Sequence, residues 1–301
     1  MIVRSIAGVV EILAPAKLNL FLEILAKRPD GYHEIESLMV AVDLFDVLRF
    51  APDPSGDVTL RCDDPSLPVG GENLVIKAAD RLRAATGCRQ GARIELRKSI
   101  PAQAGLAGGS SDAAATLVGL DRLWNLGTPP GLLKQLAGEI GSDVAFFLQH
   151  TRAAVCRGRG ERVEEIALPQ ALSFVLICPP VGVSTVEVYQ HVRPPDGPRS
   201  IDPVLDALAN DDLPQLGELL FNRLQTVAET IRPELVRVRN ALAGFSPPFV
   251  GSLMSGSGSA YFGLCRDRAS AVDAAREIDP LGLGCVRAVT CGPLEQAENA
   301  S

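Results

Sequence analysis

The stretch Ile100-Pro-Ala-Gln-Ala-Gly-Leu-Ala-Gly-Gly-Ser-Ser-Asp112 decides how the chain is read. On its N-terminal side, Ala92–Leu96 reads as a strand. On its C-terminal side, Ala113, Leu117, Leu120 and Trp124 follow the i, i+4, i+7, i+11 spacing of one buried helix face. Gly105, Gly108 and Gly109 open backbone angles closed to other residues and let an anion approach the main chain. A helix start adds unpaired N–H groups and a partial positive charge of roughly half a unit. Ser110 or Ser111 is placed to cap that helix, and Asp112 suits its first turn. Together these groups can hold a polyphosphate without a local lysine. They also fit a plain glycine-rich connection with an ordinary serine cap. The stretch has neither the G-x-x-x-x-G-K-[ST] spacing nor G-x-G-x-x-G, and the protein-kinase signature set is missing.

Outward from this stretch, strands and helices mix without strict alternation. Leu18, Leu20, Leu22 and Ile24 recur at period two, which predicts a half-buried strand with Lys17, Asn19, Phe21 and Glu23 on its other face. Val47–Phe50 and Val58–Cys62 read as further strands. Asn73–Thr86 reads as a helix ended by Gly87, and Leu132–Ile140 as one ended by Gly141. The second half carries expected helices at Val204–Leu208, Leu213–Leu220 and Pro233–Ala243, and strands at Ala260–Leu264 and Cys285–Val289. The pattern predicts an α+β fold in two domains, 1–168 and 169–301.

Composition narrows the function classes. The 301 residues are 47% hydrophobic, enough for a large core, with disorder expected only near Gln296–Ser301. Lys plus Arg number 29 against 36 Asp plus Glu, a net charge of −7. An acidic chain argues against a general nucleic-acid binder. The most apolar run, Ala171–Val183, holds two prolines and is too short to span a bilayer, so no membrane role is expected and the cytoplasm is the default location. Seven cysteines form no C-x-x-C pair, and most sit in apolar runs, which predicts reduced, buried thiols.

Four segments carry a resemblance. Pro101-Ala-Gln-Ala-Gly-Leu-Ala-Gly-Gly-Ser-Ser-Asp-Ala-Ala-Ala115 resembles the ATP motif of the galactokinase, homoserine kinase, mevalonate kinase and phosphomevalonate kinase superfamily. Ala14-Pro-Ala-Lys-Leu-Asn-Leu20 with Asp30-Gly-Tyr-His-Glu34 is similar to the opening of the 4-diphosphocytidyl-2-C-methyl-D-erythritol kinases. Gly141-Ser-Asp-Val-Ala-Phe-Phe-Leu148 is similar to the catalytic aspartate segment of that family, and Ser255-Gly-Ser-Gly-Ser259 to its late glycine motif. The resemblance implies a two-domain GHMP-kinase fold: a ribosomal protein S5 domain 2-like N-terminal domain for ATP and catalysis, and a ferredoxin-like C-terminal domain on the substrate side. It implies transfer of the ATP γ-phosphoryl group to a hydroxyl of a cytidine-diphosphate-linked methylerythritol, with magnesium accompanying ATP. The same motifs also suit another small-alcohol kinase of the superfamily, or a sensor that binds without turnover.

Site residues follow from the same resemblance. Pro101, Ala102, Gln103, Ala104, Gly105, Leu106, Ala107, Gly108, Gly109, Ser110 and Ser111 would form the ATP loop. Asp143 would be the base, although it also fits a plain helix-end or N-cap aspartate. Lys17 would be its charge partner. Tyr32 and His33 would read the cytosine, with Tyr189 on the other face of the base, and Asn19 and Thr185 would hold the diphosphate-linked part. Asp30-Gly31-Tyr32 also fits a hairpin turn with a packed tyrosine. Asn73 fits an N-cap or an adenosine contact. Gly256 and Gly258 fit either closure over the loop or a tight strand turn. His150 and His191 read as surface or packing residues. Ala145, His150 and Thr151 depart from the family pattern just after Asp143. No carboxylate cluster marks metal ligands.

Overall fold

The computed structural model describes residues 1–6, 8–149, 152–245 and 249–292. His150, Thr151 and Gln296–Ser301 therefore lie outside the described residues. In chain order the first half holds β1 (Ile2–Ile6), β2 (Val9–Lys27), β3 (His33–Asp53), β4 (Val58–Cys62), α1 (Leu74–Thr86), β5 (Gly91–Arg97), α2 (Gly108–Leu123), α3 (Pro130–Ile140) and α4 (Val144–Phe147). The second half holds β6 (Ala153–Gly158), β7 (Arg162–Ile166), β8 (Leu172–Cys178), α5 (Thr185–His191), α6 (Asp202–Ala209), α7 (Leu213–Leu219) and β9 (Phe221–Asn222). It continues with α8 (Gln225–Ile231), α9 (Leu235–Ala243), β10 (Gly251–Met254), β11 (Tyr261–Cys265), α10 (Arg268–Ile278) and β12 (Cys285–Cys291). No helix among the described residues is long and apolar enough to cross a membrane.

The chain divides into two compact units. One comprises Met1–Ala16, Leu44–Pro101 and Ala107–Gln149; the other comprises Lys17–Asp43, Ala102–Leu106 and the chain from residue 150 on. Each unit is assembled from segments that alternate along the chain, and β2 and β3 each contribute residues to both.

In the first unit, the end of β3 pairs antiparallel with β5, Val47 opposite Arg97 through Asp53 opposite Gly91, and β5 pairs parallel with β4. Helix α1 forms where the sequence predicts it. The Asn73 side chain accepts from the Val75 N–H at 2.9 Å, and Gly87 closes the helix in the left-handed region at φ 70°. Helix α2 lies close over the sheet: a Cβ on Gly119 would fall 2.4 Å from the Phe50 ring. Ala113, Leu117, Leu120 and Trp124 are all buried, as their spacing predicts.

In the second unit, β6 pairs with β3 and β7 with β6, both antiparallel, and β9 pairs parallel with β2. A separate antiparallel sheet runs β10-β11-β8-β12. Its apolar face joins Ile24, Val175, Ile177, Val188, Leu224 and Tyr261 in one core. Strand β2 departs from the expected half-burial: every residue from Ala14 to Ile24 is buried. The polar face tolerates this because its members are hydrogen-bonded. The buried Glu23 carboxylate accepts from Arg223 Nε and Nη2 at 2.8 and 2.7 Å and from the Ile24 and Arg199 N–H groups. Burial alone would raise the Glu23 pKa, but these donors outweigh it and hold the group below the usual carboxylate value.

Candidate active site

In the second unit, Lys17 is only 3% exposed. Its ammonium donates to Asn19 Oδ1 and, at 2.7 Å, to the Gly105 carbonyl oxygen. The Lys17 N–H donates to Leu106 O at 3.1 Å, so backbone and side chain of one residue both hold the loop. Asn19 Nδ2 donates to Ser37 Oγ at 2.8 Å, and Ser37 Oγ donates to Phe21 O at 2.7 Å, which fixes the amide orientation that receives the ammonium. A buried lysine needs such partners, because desolvation of an ammonium without hydrogen bonds is prohibitive.

The turn Ser255–Ser259 between β10 and β11 packs directly on these groups. Ser255 Oγ donates to Gly105 O at 3.1 Å, and the Ala260 N–H donates to Ala104 O at 3.1 Å. A Cβ on Gly105 would fall 2.1 Å from Ser255 O, and one on Gly256 would fall 3.0 Å from Lys17 Nζ. The strand-turn and loop-closing readings of Gly256 and Gly258 therefore describe one arrangement. Asn222 Nδ2 anchors the turn by donating to Met254 O and Gly256 O at 2.8 and 2.7 Å. Thr185 Oγ1 lies 2.8 Å from Ser257 Oγ, so Thr185 belongs to this cluster.

Further along the same unit, the 6% exposed His33 ring sits 5.5 Å from the Tyr189 ring, centroid to centroid, at a 43° tilt. Burial lowers the His33 pKa below its usual 6.5, and the Lys27 charge acts in the same direction. Tyr32, one residue away, is 52% exposed. It stands on a hairpin turn: the Arg28 N–H donates to Tyr32 O at 2.8 Å, Asp30 Oδ1 accepts from the Tyr32 N–H, and Gly31 has φ 86°. The tyrosine is not packed into the core. The Arg159 guanidinium covers it, 4.7 Å from the ring centroid.

In the first unit, α2 begins three or four residues earlier than a cap at Ser110 or Ser111 would allow. Its N-cap is Ala107, in the left-handed region at φ 56°, and no side chain caps it. Gly108 and Gly109 are helical, so both serines lie inside the helix, not before it. Ser111 is fully buried and its Oγ is without a hydrogen-bond partner among the described residues. Asp112 is likewise past the first turn, where its carboxylate accepts from Lys98 Nζ at 2.8 Å. Asp143 is half-buried at the N-cap position of α4, but its side chain makes no capping bond to that helix. The four residues after it, Val144, Ala145, Phe146 and Phe147, are buried and fix the segment from which it projects.

Asn73 is committed to the protein on both sides of its amide, to Val75 N–H and Pro68 O, which favours the cap reading. His191 is exposed and bonded to Glu187 O of its own helix. Ser37, Asn222, Arg159 and Lys98 carry no motif in the sequence, and Asp112 reads there as a first-turn residue, not as the partner of Lys98. Each acts over a long sequence separation, so no local spacing marks it; only the charge of Lys98 just before the loop was a visible signal. The cysteines are free, with Cys156, Cys178, Cys265 and Cys291 buried, but Cys285 is exposed. Among the described residues no group of three or more His, Cys, Asp or Glu side chains could hold a metal ion.

Residues 73–150 match the family model described as the GHMP kinases N terminal domain, and residues 204–280 the one described as GHMP kinases C terminal. A 4-diphosphocytidyl-2-C-methyl-D-erythritol kinase of Pelotomaculum thermopropionicum is 44% identical over 265 residues, 87% of this chain and 91% of that protein. The enzyme of the same name from Carboxydothermus hydrogenoformans is 43% identical over 256 residues, covering 84% and 87%. A crystal structure of a 4-(cytidine 5'-diphospho)-2C-methyl-D-erythritol kinase superposes with a TM-score of 0.77 at 39% identity, over 94% of this chain and 99% of that one. A homoserine kinase from Cytophaga hutchinsonii, at 20% identity and TM-score 0.73 over 98% of each chain, shares the fold. With relatives this similar along nearly their whole length, the chain belongs to the 4-diphosphocytidyl-2-C-methyl-D-erythritol kinase family of the GHMP kinases.

Proposed function

We propose that this protein transfers the γ-phosphoryl group of ATP to a hydroxyl of 4-diphosphocytidyl-2-C-methyl-D-erythritol, in the non-mevalonate route to isoprenoid precursors. The observation that carries the reading is Lys17: a buried ammonium tied to the Gly105 carbonyl of the glycine-rich loop and roofed by the Ser255–Ser259 turn. A glycine-rich connection of purely structural use needs no buried charge at its centre.

The roles follow from the chemistry of each group. The acceptor hydroxyl oxygen attacks the γ-phosphorus, the bond to the β–γ bridging oxygen breaks, and ADP leaves. Asp143 takes the hydroxyl proton as the loose transition state acidifies it. Lys17 offsets charge on the transferring group. Residues Pro101 through Ser111 hold the triphosphate through backbone N–H groups, the start of α2 and the Ser110 hydroxyl. Magnesium enters with ATP as part of that substrate, and no protein ligand is assigned to it.

At the acceptor end, His33 is the base-reading group. Its depressed pKa keeps the imidazole neutral at neutral pH, with one ring nitrogen donating and the other accepting. A cytosine edge offers the complement. Tyr189 and Tyr32 supply aromatic faces, and Asn19 and Thr185 lie toward the diphosphate-linked part. Functionally, residues 1–168 carry ATP and catalysis and residues 169–301 complete the substrate side. The acidic chain takes no nucleic acid, and its seven free thiols suit the reducing cytoplasm.

An acceptor panel tests the reading. ATP consumption is measured with the cytidine substrate, with its uridine counterpart, with homoserine, with mevalonate and with no acceptor. Turnover with the cytidine substrate alone is expected. Equal use of cytidine and uridine substrates would reject base reading, and turnover with mevalonate or homoserine in its place would reject the assignment.

A further inference from the structure

Apart from Lys17, a second buried lysine sits beside the glycine-rich loop, and the reaction just described does not use it. Lys98 has a side chain 10% exposed and donates from one ammonium to two carboxylates, Asp46 Oδ2 and Asp112 Oδ2. Asp46 is fully buried, and its other oxygen, Oδ1, accepts from the Ser99 and Ile100 N–H groups at 2.6 and 2.9 Å. Those two residues are where the chain enters the loop. Asp112 lies where the chain leaves it, in α2. Between them, a Cβ on Gly108 would meet Ile100 Cγ2 at 3.0 Å and Lys98 Nζ at 3.2 Å, so the ammonium lies directly under the first residue of α2.

We infer that Lys98 is a positioning residue: by gripping Asp46 at the loop's entry and Asp112 at its exit, it staples the two ends of the glycine-rich loop and sets the first turn of α2 for ATP. The inference rests on the reading of Pro101–Ser111 as the ATP loop. No side chain caps α2, so its start is fixed by other means, and the staple supplies them. Two buried polar atoms of that turn, Ser111 Oγ and Asp112 Oδ1, have no hydrogen-bond partner among the described residues. Leaving them bare is costly unless the turn is held for a ligand or water. A lysine spent on two carboxylates inside the protein is not available to a phosphate as a point charge; its effect reaches ATP through the backbone it holds.

The charges set the test. Burial pushes the Asp112 carboxyl up, to about 7, while the Lys98 ammonium pulls it down. Lys98→Met leaves two buried carboxylates facing each other, which should lower Tm sharply. Adding Asp112→Asn removes the excess charge but does not restore the grip. The staple therefore predicts that Lys98→Met/Asp112→Asn regains most of the lost Tm while its KM for ATP stays about tenfold above wild type, the weight of one charge-assisted hydrogen bond. The KM for the cytidine substrate stays within about twofold. Recovery of ATP KM together with Tm would overturn the staple, because Lys98 would then serve stability alone. Gly109→Ala separates this from a failure of the loop reading: its Cβ would stand 3.5 Å from Leu74 Cδ1, an ordinary contact, on the exposed side of the loop. A raised ATP KM in Gly109→Ala with a normal one in the double variant sinks the staple alone. A normal ATP KM in Gly109→Ala sinks the loop reading and the staple with it.

Discussion

The two halves of the glycine-rich segment are held by different chemistry. Ala102–Leu106 is held by main-chain bonds to Lys17 and Ala260, by Ser255, and by an ammonium donating to a carbonyl. Gly108–Asp112 is held by a buried ion cluster in which one ammonium answers two carboxylates. A carbonyl orients an ammonium without cancelling its charge, whereas carboxylates orient and neutralise it. The first half is thus built to present charge, and the second to be stiff. The glycines divide in the same way: Gly105 is enclosed, while Gly109 is exposed.

That contrast breaks most visibly at the enclosed glycine. Gly105→Ala places a methyl 2.1 Å from Ser255 O at φ +74°, where neither the loop nor the Ser255–Ser259 turn can give way cheaply. Left-handed strain of ~1–2 kcal/mol adds to an overpacking cost of ~1–3 kcal/mol. A large drop in Tm and loss of activity are expected, whereas Gly109→Ala should keep its Tm. Thermal melts of the two variants side by side check this; equal Tm values would show that the two halves are not packed differently.

A smaller effect is expected at the acceptor end. The folded-state pKa of His33 lies below 6.5, so the neutral imidazole is what folding and base reading both use. Its contribution to stability is fully present above pH 6.5 and is lost as pH falls through the lower folded value. KM for the cytidine substrate should be flat above pH 6.5 and rise below it, while KM for ATP follows no such curve. A substrate KM that falls on acidification would exclude His33 as the reader. In a His33→Asn variant the pH-dependent rise should disappear.

Much of this was legible in the chain. Asn73 and Gly87 mark the ends of α1 because capping is local chemistry, and the α2 face from Ala113 to Trp124 is legible because its period is. The α2 start was not, because Gly108 and Gly109 read as loop residues yet adopt helical geometry, with bonds among Lys98, Asp46 and Ile100 that no local spacing announces. Half-burial of β2 failed for a related reason. Period two identifies the apolar face, but nothing local says that Asn19 and Glu23 find Ser37 and Arg223 as partners. At the site, the glycine-rich loop, Lys17 and the Ser255–Ser259 turn could each be singled out from the sequence, but their mutual contacts could not. Tyr32 and His33 read as one base-reading pair, and the structure gives them different neighbours, Arg159 for one and Tyr189 for the other.

In the proposed reaction, phosphoryl transfer depends on Asp143 as the base. Asp143→Asn keeps the shape of a side chain that makes no capping bond to α4, so the fold should be intact. Binding of ATP and of the cytidine substrate, followed by titration calorimetry, should match wild type, while kcat falls by about 10²–10⁴-fold. Turnover at the wild-type rate in that variant would contradict the account.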